Sequence, residues 1–378
     1  MTAKIRRFLD EQKPETPCLI VDLDVVAENY RALRRYLPLA EVFYAVKANP
    51  APEIVAMLVG LGSSFDAASL NEIDLCLDAG ADPLRLSFGS TIKKQKDIEA
   101  AFAKGVRLFA FDSQAELDKL VAAAPGSRVF CRILVDNAGA DWPLSRKFGC
   151  ELEMARDLLV QARDRGLDPY GVSFHVGSQQ TDLSQWDVAV GRTAMLFTAL
   201  SEAGIELKMV NLGGGFPARY KAEVAEIDAY ADAIMRAMTH HFGNRLPAMV
   251  VEPGRSLVGD AGIIQTEVVL IAKKSYREGE ARWVYLDVGK FSGLAETTDE
   301  LIKYRLRTPH DHKGAVGPVV LAGPTCDSID ILYEKAGYEL PLDLKVGDKI
   351  EILATGAYTL TYSSVGFNGF PPLRAVYI

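Results

Sequence analysis

From residue 40 onward, short apolar runs rich in β-branched and aromatic residues alternate with longer stretches whose apolar positions recur every three to four residues. The short runs, at 42–46, 63–67, 84–88, 107–111, 128–134, 170–175, 208–212 and 248–252, read as strands. The longer ones read as helices. ELEMARDLLVQARDRG (151–166) places Met154, Leu158, Leu159 and Ala162 at helical spacing and closes on Gly166. SQAELDKLVAA opens on Ser113 with Glu116 three residues on, the spacing of a capping box. Strands and helices in this alternation predict a (β/α)8 TIM-like barrel over 23–256. An open doubly wound sheet shares the local pattern, but the polar residues separate the two. Lys47, Asp66, Arg132, His175, Gly213 to Gly215 and Glu252 fall at or just beyond the carboxyl ends of different strands. In a barrel those ends converge on one mouth, whereas in an open sheet they spread along an edge.

After Arg255 the pattern changes. Runs at 262–272, 282–288, 318–322, 349–354 and 374–378 read as strands joined by turns, which predicts a second, mainly β domain over 257–378, of β-sandwich or Greek-key-like form. The opening residues 1–22 are assigned to it, because PCLIVDLD offers one more strand before the first barrel-like helix. DNAGADWPLSRKFG (136–149), with glycine and mixed charges, is a candidate mouth segment of the barrel.

Composition narrows the function classes. A chain of 378 residues with 49% hydrophobic and 24% charged residues matches a soluble globular enzyme, and a net charge of -8 argues against a general nucleic-acid binder. Cys18, Cys76, Cys131, Cys150 and Cys326 are odd in number and far apart, poor material for a disulfide framework, so a reducing, cytoplasmic compartment is expected. No signal-peptide core opens the chain. The uncharged stretch 352–373 is broken by Gly356, Gly366, Gly369, Pro371 and Pro372, which argues against a membrane span.

Several motifs offer chemistry. YAVKANP sets Lys47 at the end of an apolar strand with no carboxylate beside it, a setting in which a lysine can capture an aldehyde cofactor or a carbonyl substrate; a snorkelling lysine is the plain alternative. NLGGGFP follows the seventh strand, and the backbone of Gly213, Gly214 and Gly215 can approach a bulky anion, though a glycine run alone is also a tight turn. EPGRS follows the eighth strand and adds Glu252, Pro253, Gly254 and Arg255. Loops after strands seven and eight are where such barrels often hold phosphate. FHVGSQ brings His175 to the end of the sixth strand with Ser178 close by; the imidazole is a structural residue or stacks on a cofactor ring. No metal is expected, because the other histidines offer no ligand spacing with His175. GPTCDSIDIL presents Cys326 and Asp327 on a turn, and TGAYT presents Tyr358, whose hydroxyl can reach a phosphate or simply pack.

YAVKAN, FDAAS, HVGSQ, GGGFP, EPGRS, GPTCD and GAYT, in this order over nearly the whole chain, resemble the pyridoxal-phosphate-dependent basic amino-acid decarboxylases with the alanine-racemase-type barrel. The resemblance implies that Lys47 binds the aldehyde of pyridoxal 5'-phosphate (PLP), that His175 stacks on its ring and that Glu252 pairs with the ring nitrogen. It implies a phosphate site of Ser178, Gly213 to Gly215, Gly254, Arg255 and Tyr358, with Asp66 and Arg132 as polar residues around lysine and ring. Cys326 would be the proton donor and Asp327 the partner of the substrate's distal amine. In that family the GPTCD turn comes from the neighbouring subunit, which implies a homodimer with shared active sites.

Within the family the pattern is nearest to members that convert L-ornithine to putrescine, with L-lysine to cadaverine as a second activity. The specificity segment falls in KFSGLAETTDELIKY, where Phe291 stands in place of a tyrosine and Glu296, Asp299 and Glu300 are acidic candidates for the substrate, Glu296 first, unless the run is a solvated helix face. Decarboxylation of meso-diaminopimelate to lysine is the alternative, but Asp327 stands where those enzymes usually carry glutamate. A catalytically inactive regulator that binds a protein partner is the alternative of another class; such proteins tend to lose residues that are present here.

Overall fold

The structure, a computed structural model, describes residues 1–135, 138–142, 147–275 and 281–378. The chain divides into two compact units. One comprises Ala27–Pro217 and Ala225–Gly254, the other Met1–Val26, Ala218–Val224 and Arg255–Ile378.

The first unit is the barrel that the alternating pattern predicts. Its parallel strands are β1 (Ala40–Ala45), β2 (Ser64–Ala67), β3 (Leu86–Phe88), β4 (Leu108–Phe111), β5 (Arg128–Arg132), β6 (Asp168–Ser173), β7 (Met209–Asn211) and β8 (Ala248–Val251). They hydrogen-bond in chain order, and β8 closes on β1 with Val251 opposite Val42. Phe43, Leu108, Ala110, Phe130, Met209 and Val250 form one buried cluster, with Tyr170 against it. Because side chains on a strand repeat every two residues, the positions two further on point the same way. Those positions include Ala45 on β1, Arg132 on β5, Asn211 on β7 and Glu252 just past β8. Three of these four are polar, so the apolar layer gives way to polar side chains towards the carboxyl ends.

The helices follow their apolar stripes, with two departures. Helix Leu152–Asp164 buries Ala155, Leu158, Leu159 and Ala162 and stops before Gly166 at φ +85°, but Met154 is 42% exposed and lies off the stripe. Helix Gln114–Ala123 begins after Ser113, yet the Ser113 side chain makes no capping bond. Glu116 is buried instead, 2.9 Å from Lys93 Nζ and 2.5 Å from Lys119 Nζ. Lys93 sits wholly inside, also donating to the carbonyls of Ser90 and Ala110, so a carboxylate is needed there more than at the helix end. Burial pushes Lys93 down to about 8 against the pull of Glu116. The capping bonds form at Ser69, which accepts from Glu72 N–H while the Glu72 carboxylate accepts from Ala68 N–H.

Of the expected mouth segment 136–149, positions 136–137 and 143–146 lie outside the described residues. Ala140–Trp142 pairs antiparallel with Ser178–Gln180.

Among the described residues, the second unit forms a nine-stranded mixed sheet. Its hub is the long strand Gly262–Ala272, which pairs antiparallel with Cys18–Val21, Arg282–Leu286 and Lys349–Leu353. Cys18–Val21 also pairs in parallel with Arg374–Tyr377, so sequences from both ends of the chain meet on one edge. Ile5, Leu9, Cys18, Ile20 and Ile263 form a buried cluster there. Leu306–Arg307, Ile331–Tyr333 and Glu339–Pro341 are additional strands, too short to leave a period in the sequence. All five cysteines are free, four of them buried and Cys326 exposed. Among the described residues no helix is long and apolar enough to cross a membrane.

Candidate active site

In the barrel, the ends of β1, β2, β5, β6, β7 and β8 each supply a polar residue. β1 runs into a single 3-10 turn, Val46–Ala48, that holds the exposed Lys47. The turn is fixed by Ala45 N–H donating to Pro253 O at 3.1 Å and Tyr44 O–H donating to Asn49 O at 2.9 Å. Asp66, near the end of β2, is buried and accepts from Ser87 Oγ at 2.8 Å. Burial raises its carboxyl above the ordinary range, while Lys47, Ser87 and Arg132 pull the other way.

Glu252 accepts from Asn211 Nδ2 at 2.5 Å. Burial, helped by Asp66, pushes Glu252 up to about 7, against Lys47, Asn211 and Arg132. Asn211 was not among the residues singled out from the sequence. Its Oδ1 accepts from Gly213 N–H at 3.0 Å, so one amide ties the carboxylate past β8 to the glycine loop past β7. The available signal was its place two residues beyond Met209 and immediately before LGGG.

His175 Nδ1 accepts from Gly177 N–H at 3.0 Å, which leaves Nε2 to carry the proton of a neutral ring. Burial lowers its pKa well below the ordinary value, and the charges of Arg132 and Lys47 add to the effect. The glycine loop requires glycine: Gly213 and Gly215 lie at φ +67° and +105°, and a Cβ on Gly214 would sit 2.8 Å from Glu252 O and 3.1 Å from His175 Nε2. Ser178 opens the short strand opposite Trp142, and Gln180 N–H donates to Gly215 O at 2.8 Å. Lys47, Asp66, Arg132, His175, Ser178, Gly213 to Gly215, Glu252, Pro253 and Gly254 thus all belong to the barrel unit.

The other candidates belong to the sheet unit. Arg255 is buried at the start of the short helix Arg255–Val258. Its guanidinium donates to both oxygens of Glu296, at 2.7 and 2.6 Å, and to Tyr220 Oη at 2.6 Å, with the Tyr358 ring centre 4.9 Å from Cζ. This corrects the solvated helix face considered for Glu296: 295–300 folds as 3-10 turns that bury Glu296 and Thr297, and the carboxylate pairs with Arg255. Phe291 packs on Phe367, ring centres 4.4 Å apart.

Cys326 is exposed and Asp327 half-buried on a turn organised by Asp330. The buried Asp330 carboxylate accepts from Thr325 N–H at 3.1 Å, Thr325 Oγ1 at 2.7 Å and Lys290 N–H at 2.8 Å. Gly323 and Gly289 make room for it, since a Cβ on either would come within 2.4 Å of its oxygens. Asp330, Ser87 and Tyr220 also went unnoticed in the sequence. Among the described residues no cluster of His, Cys, Asp and Glu is placed to hold a metal ion.

An exposed amine, a neutral imidazole and a raised buried carboxylate beside a glycine cradle form a donor set suited to an aromatic aldehyde bearing an anion. The family described as pyridoxal-dependent decarboxylase, pyridoxal binding domain, matches residues 23–259. The chain belongs to the pyridoxal-dependent decarboxylases. Similar family proteins include the lysine/ornithine decarboxylase of Selenomonas ruminantium, 38% identical over 94% of this chain and 88% of that one. Antizyme inhibitor 2 of Xenopus laevis is 33% identical over 93% of this chain and 78% of its own. A solved decarboxylase of the family, the lysine/ornithine decarboxylase of Vibrio vulnificus complexed with putrescine, is similar over 100% of this chain and 99% of that one, with 30% identity and a TM-score of 0.87.

Proposed function

We propose that this pyridoxal-dependent decarboxylase converts L-ornithine to putrescine and CO2, a step of polyamine synthesis, with L-lysine as a second substrate, and that it works in the cytoplasm as a homodimer. The observation that carries the reading is that Lys47, His175 and the hydrogen-bonded chain Glu252–Asn211–Gly213 stand at the carboxyl ends of the barrel strands, with a cradle that only glycine can form. Bound there, PLP supplies an aldehyde for covalent capture and a ring that withdraws electrons from the substrate's Cα.

The chain's own residues take the following parts. Lys47 Nζ would hold the cofactor, in the place that the substrate's α-amine would take. Glu252 lies in an environment that raises its pKa, so a cationic ring nitrogen beside it would favour its charged form and stay protonated. Neutral His175 would face the ring without adding a competing charge. The backbone of Gly213 to Gly215, with Ser178, Gly254, Arg255 and Tyr358, would hold the phosphate. When CO2 leaves, the Cys326 thiol donates a proton to Cα, and Asp327 pairs with the distal ammonium. Cys326 stands exposed beside the exposed Ile329, as a residue completing a second copy's site would.

The test is direct. Purified protein loaded with PLP is expected to show visible absorbance from the covalently held cofactor and to release CO2 from L-ornithine. Lys47→Ala should lose both, and wild-type protein lacking both would overturn the reading. A protein-binding regulator, as the antizyme inhibitor name suggests for that relative, predicts no CO2 release from any basic amino acid.

A further inference from the structure

The buried contact between Arg255 and Glu296 has no place in the roles above. We propose that Glu296 is a positioning residue that aims the phosphate-holding arginine, and that it thereby sets the protein's preference for the phosphorylated cofactor over its phosphate-free form. The inference rests on Arg255 holding the phosphate.

Four observations support it. The carboxylate meets the guanidinium fork-to-fork, 2.7 Å to one nitrogen and 2.6 Å to the other, which fixes the plane of the arginine as well as its distance. Both side chains are buried, with 3% and 5% exposure, so solvent does not orient the arginine. The same nitrogen that donates to Glu296 Oε2 also donates to Tyr220 Oη, and Tyr220 is braced edge-on against Tyr304 at 5.3 Å and 89°. Glu296 itself is held from behind, because Ile302 N–H donates to its carbonyl at 3.2 Å and Thr297 is tied to Leu294 O through both N–H and Oγ1. The arginine is therefore clamped on a rigid support.

Charge and position predict opposite signs, which makes the idea testable. By Coulomb's law a carboxylate next to the arginine opposes a phosphate dianion, so removing its charge alone would tighten phosphate binding. If Glu296 acts by aiming Arg255, removing the carboxylate weakens it. Groups that orient a metal-holding residue are typically worth roughly 10- to 100-fold in metal affinity or activity, and a phosphate-holding arginine is expected to follow the same scale.

The experiment titrates PLP-free protein with PLP and, separately, with pyridoxal, following cofactor absorbance and intrinsic fluorescence. E296Q is expected to lose about tenfold or more in PLP affinity while its pyridoxal affinity changes less than about twofold. PLP affinity that is unchanged or higher in folded E296Q, or equal losses for both compounds, would overturn the proposal. Should E296Q fail to fold, Tyr220→Phe tests the same clamp, with a smaller loss, about threefold, again confined to PLP; an equal effect on both compounds, or none, counts against it. Wild-type protein that does not prefer PLP, or an Arg255→Gln variant that keeps the preference, points instead to failure of the underlying assignment of Arg255.

Discussion

Replacing Glu252 with glutamine in the PLP-free protein should make the fold more stable at alkaline pH than at acid pH, relative to wild type. Burial, with Asp66 close by, raises this carboxyl from 4.5 to about 7. Between those values the folded protein keeps a proton that the unfolded chain releases, so stability falls as pH rises through the window, and the cost is complete above it. At about 1.4 kcal/mol per pH unit, the linkage reaches roughly 1 kcal/mol at pH 5 and about 3 kcal/mol at pH 8. Glutamine never ionises and keeps the size of the side chain and an oxygen for Asn211. Urea unfolding at fixed protein concentration, for both proteins at pH 5 and pH 8, reads the effect as the pH dependence of their difference, in which all other titrations cancel to first order. The advantage of the Glu252→Gln variant should grow by about 2 kcal/mol between the two pH values. A difference independent of pH, or larger at pH 5, would refute the account. On the role proposed for Glu252, saturating PLP should shrink it, since a cationic ring nitrogen placed next to the carboxylate favours its charged form.

Other substitutions probe the same architecture. Gly214→Ala places a Cβ within 3.1 Å of both Glu252 O and His175 Nε2, so PLP affinity measured by absorbance should fall by about tenfold or more. Asn211→Leu cuts the tie between Glu252 and Gly213 N–H; loss of two buried hydrogen bonds should cost about 2 to 3 kcal/mol in urea unfolding and raise the Glu252 pKa further. Asp330→Ala leaves the donors of Thr325 and Lys290 unpaired, and about 3 kcal/mol of stability should be lost together with much of kcat, because the turn bearing Cys326 loses its anchor.

The barrel was legible because each strand is a compact apolar run and each connecting helix shows its own period, so two different repeats alternate along the sequence. The polar positions at strand ends were legible for the same reason, as Asp66, Arg132 and Glu252 interrupt apolar runs. What could not be read were pairings that depend on three-dimensional neighbours. Glu116 has the spacing of a cap, but the buried ammonium of Lys93, from a different loop, takes it. Glu296 sits in an acidic run that reads as surface, and only the fold brings it to Arg255. Asn211 looks like a strand terminator until the register sets it opposite Val250, two residues before Glu252. Residues 218–224 belong with the sheet unit although they lie between two barrel elements, and nothing in their composition marks the excursion.

These pairings bear on substrate choice. Of the acidic residues in the specificity segment, Glu296 is taken by Arg255, Glu300 accepts the N–H groups of Glu334 and Lys335, both at 2.7 Å, and Asp299 is exposed. Asp327 is the carboxylate proposed for the distal ammonium, on a turn where it also accepts from Ile329 N–H at 3.0 Å. One carboxylate on a turn reads a charge and measures length poorly. Ornithine and lysine differ by one methylene, a distinction worth about 1 to 3 kcal/mol in a fitted pocket, or roughly 10- to 200-fold. The kcat/KM ratio of ornithine to lysine should therefore favour ornithine by less than about 100-fold. meso-Diaminopimelate brings a second carboxylate, which Asp327 repels, so its kcat/KM should be far below both. Steady-state CO2 release from the three amino acids settles the order. A preference for diaminopimelate would overturn the role given to Asp327, and discrimination between ornithine and lysine beyond about 1000-fold would require a length-sensing contact that Asp327 alone does not provide.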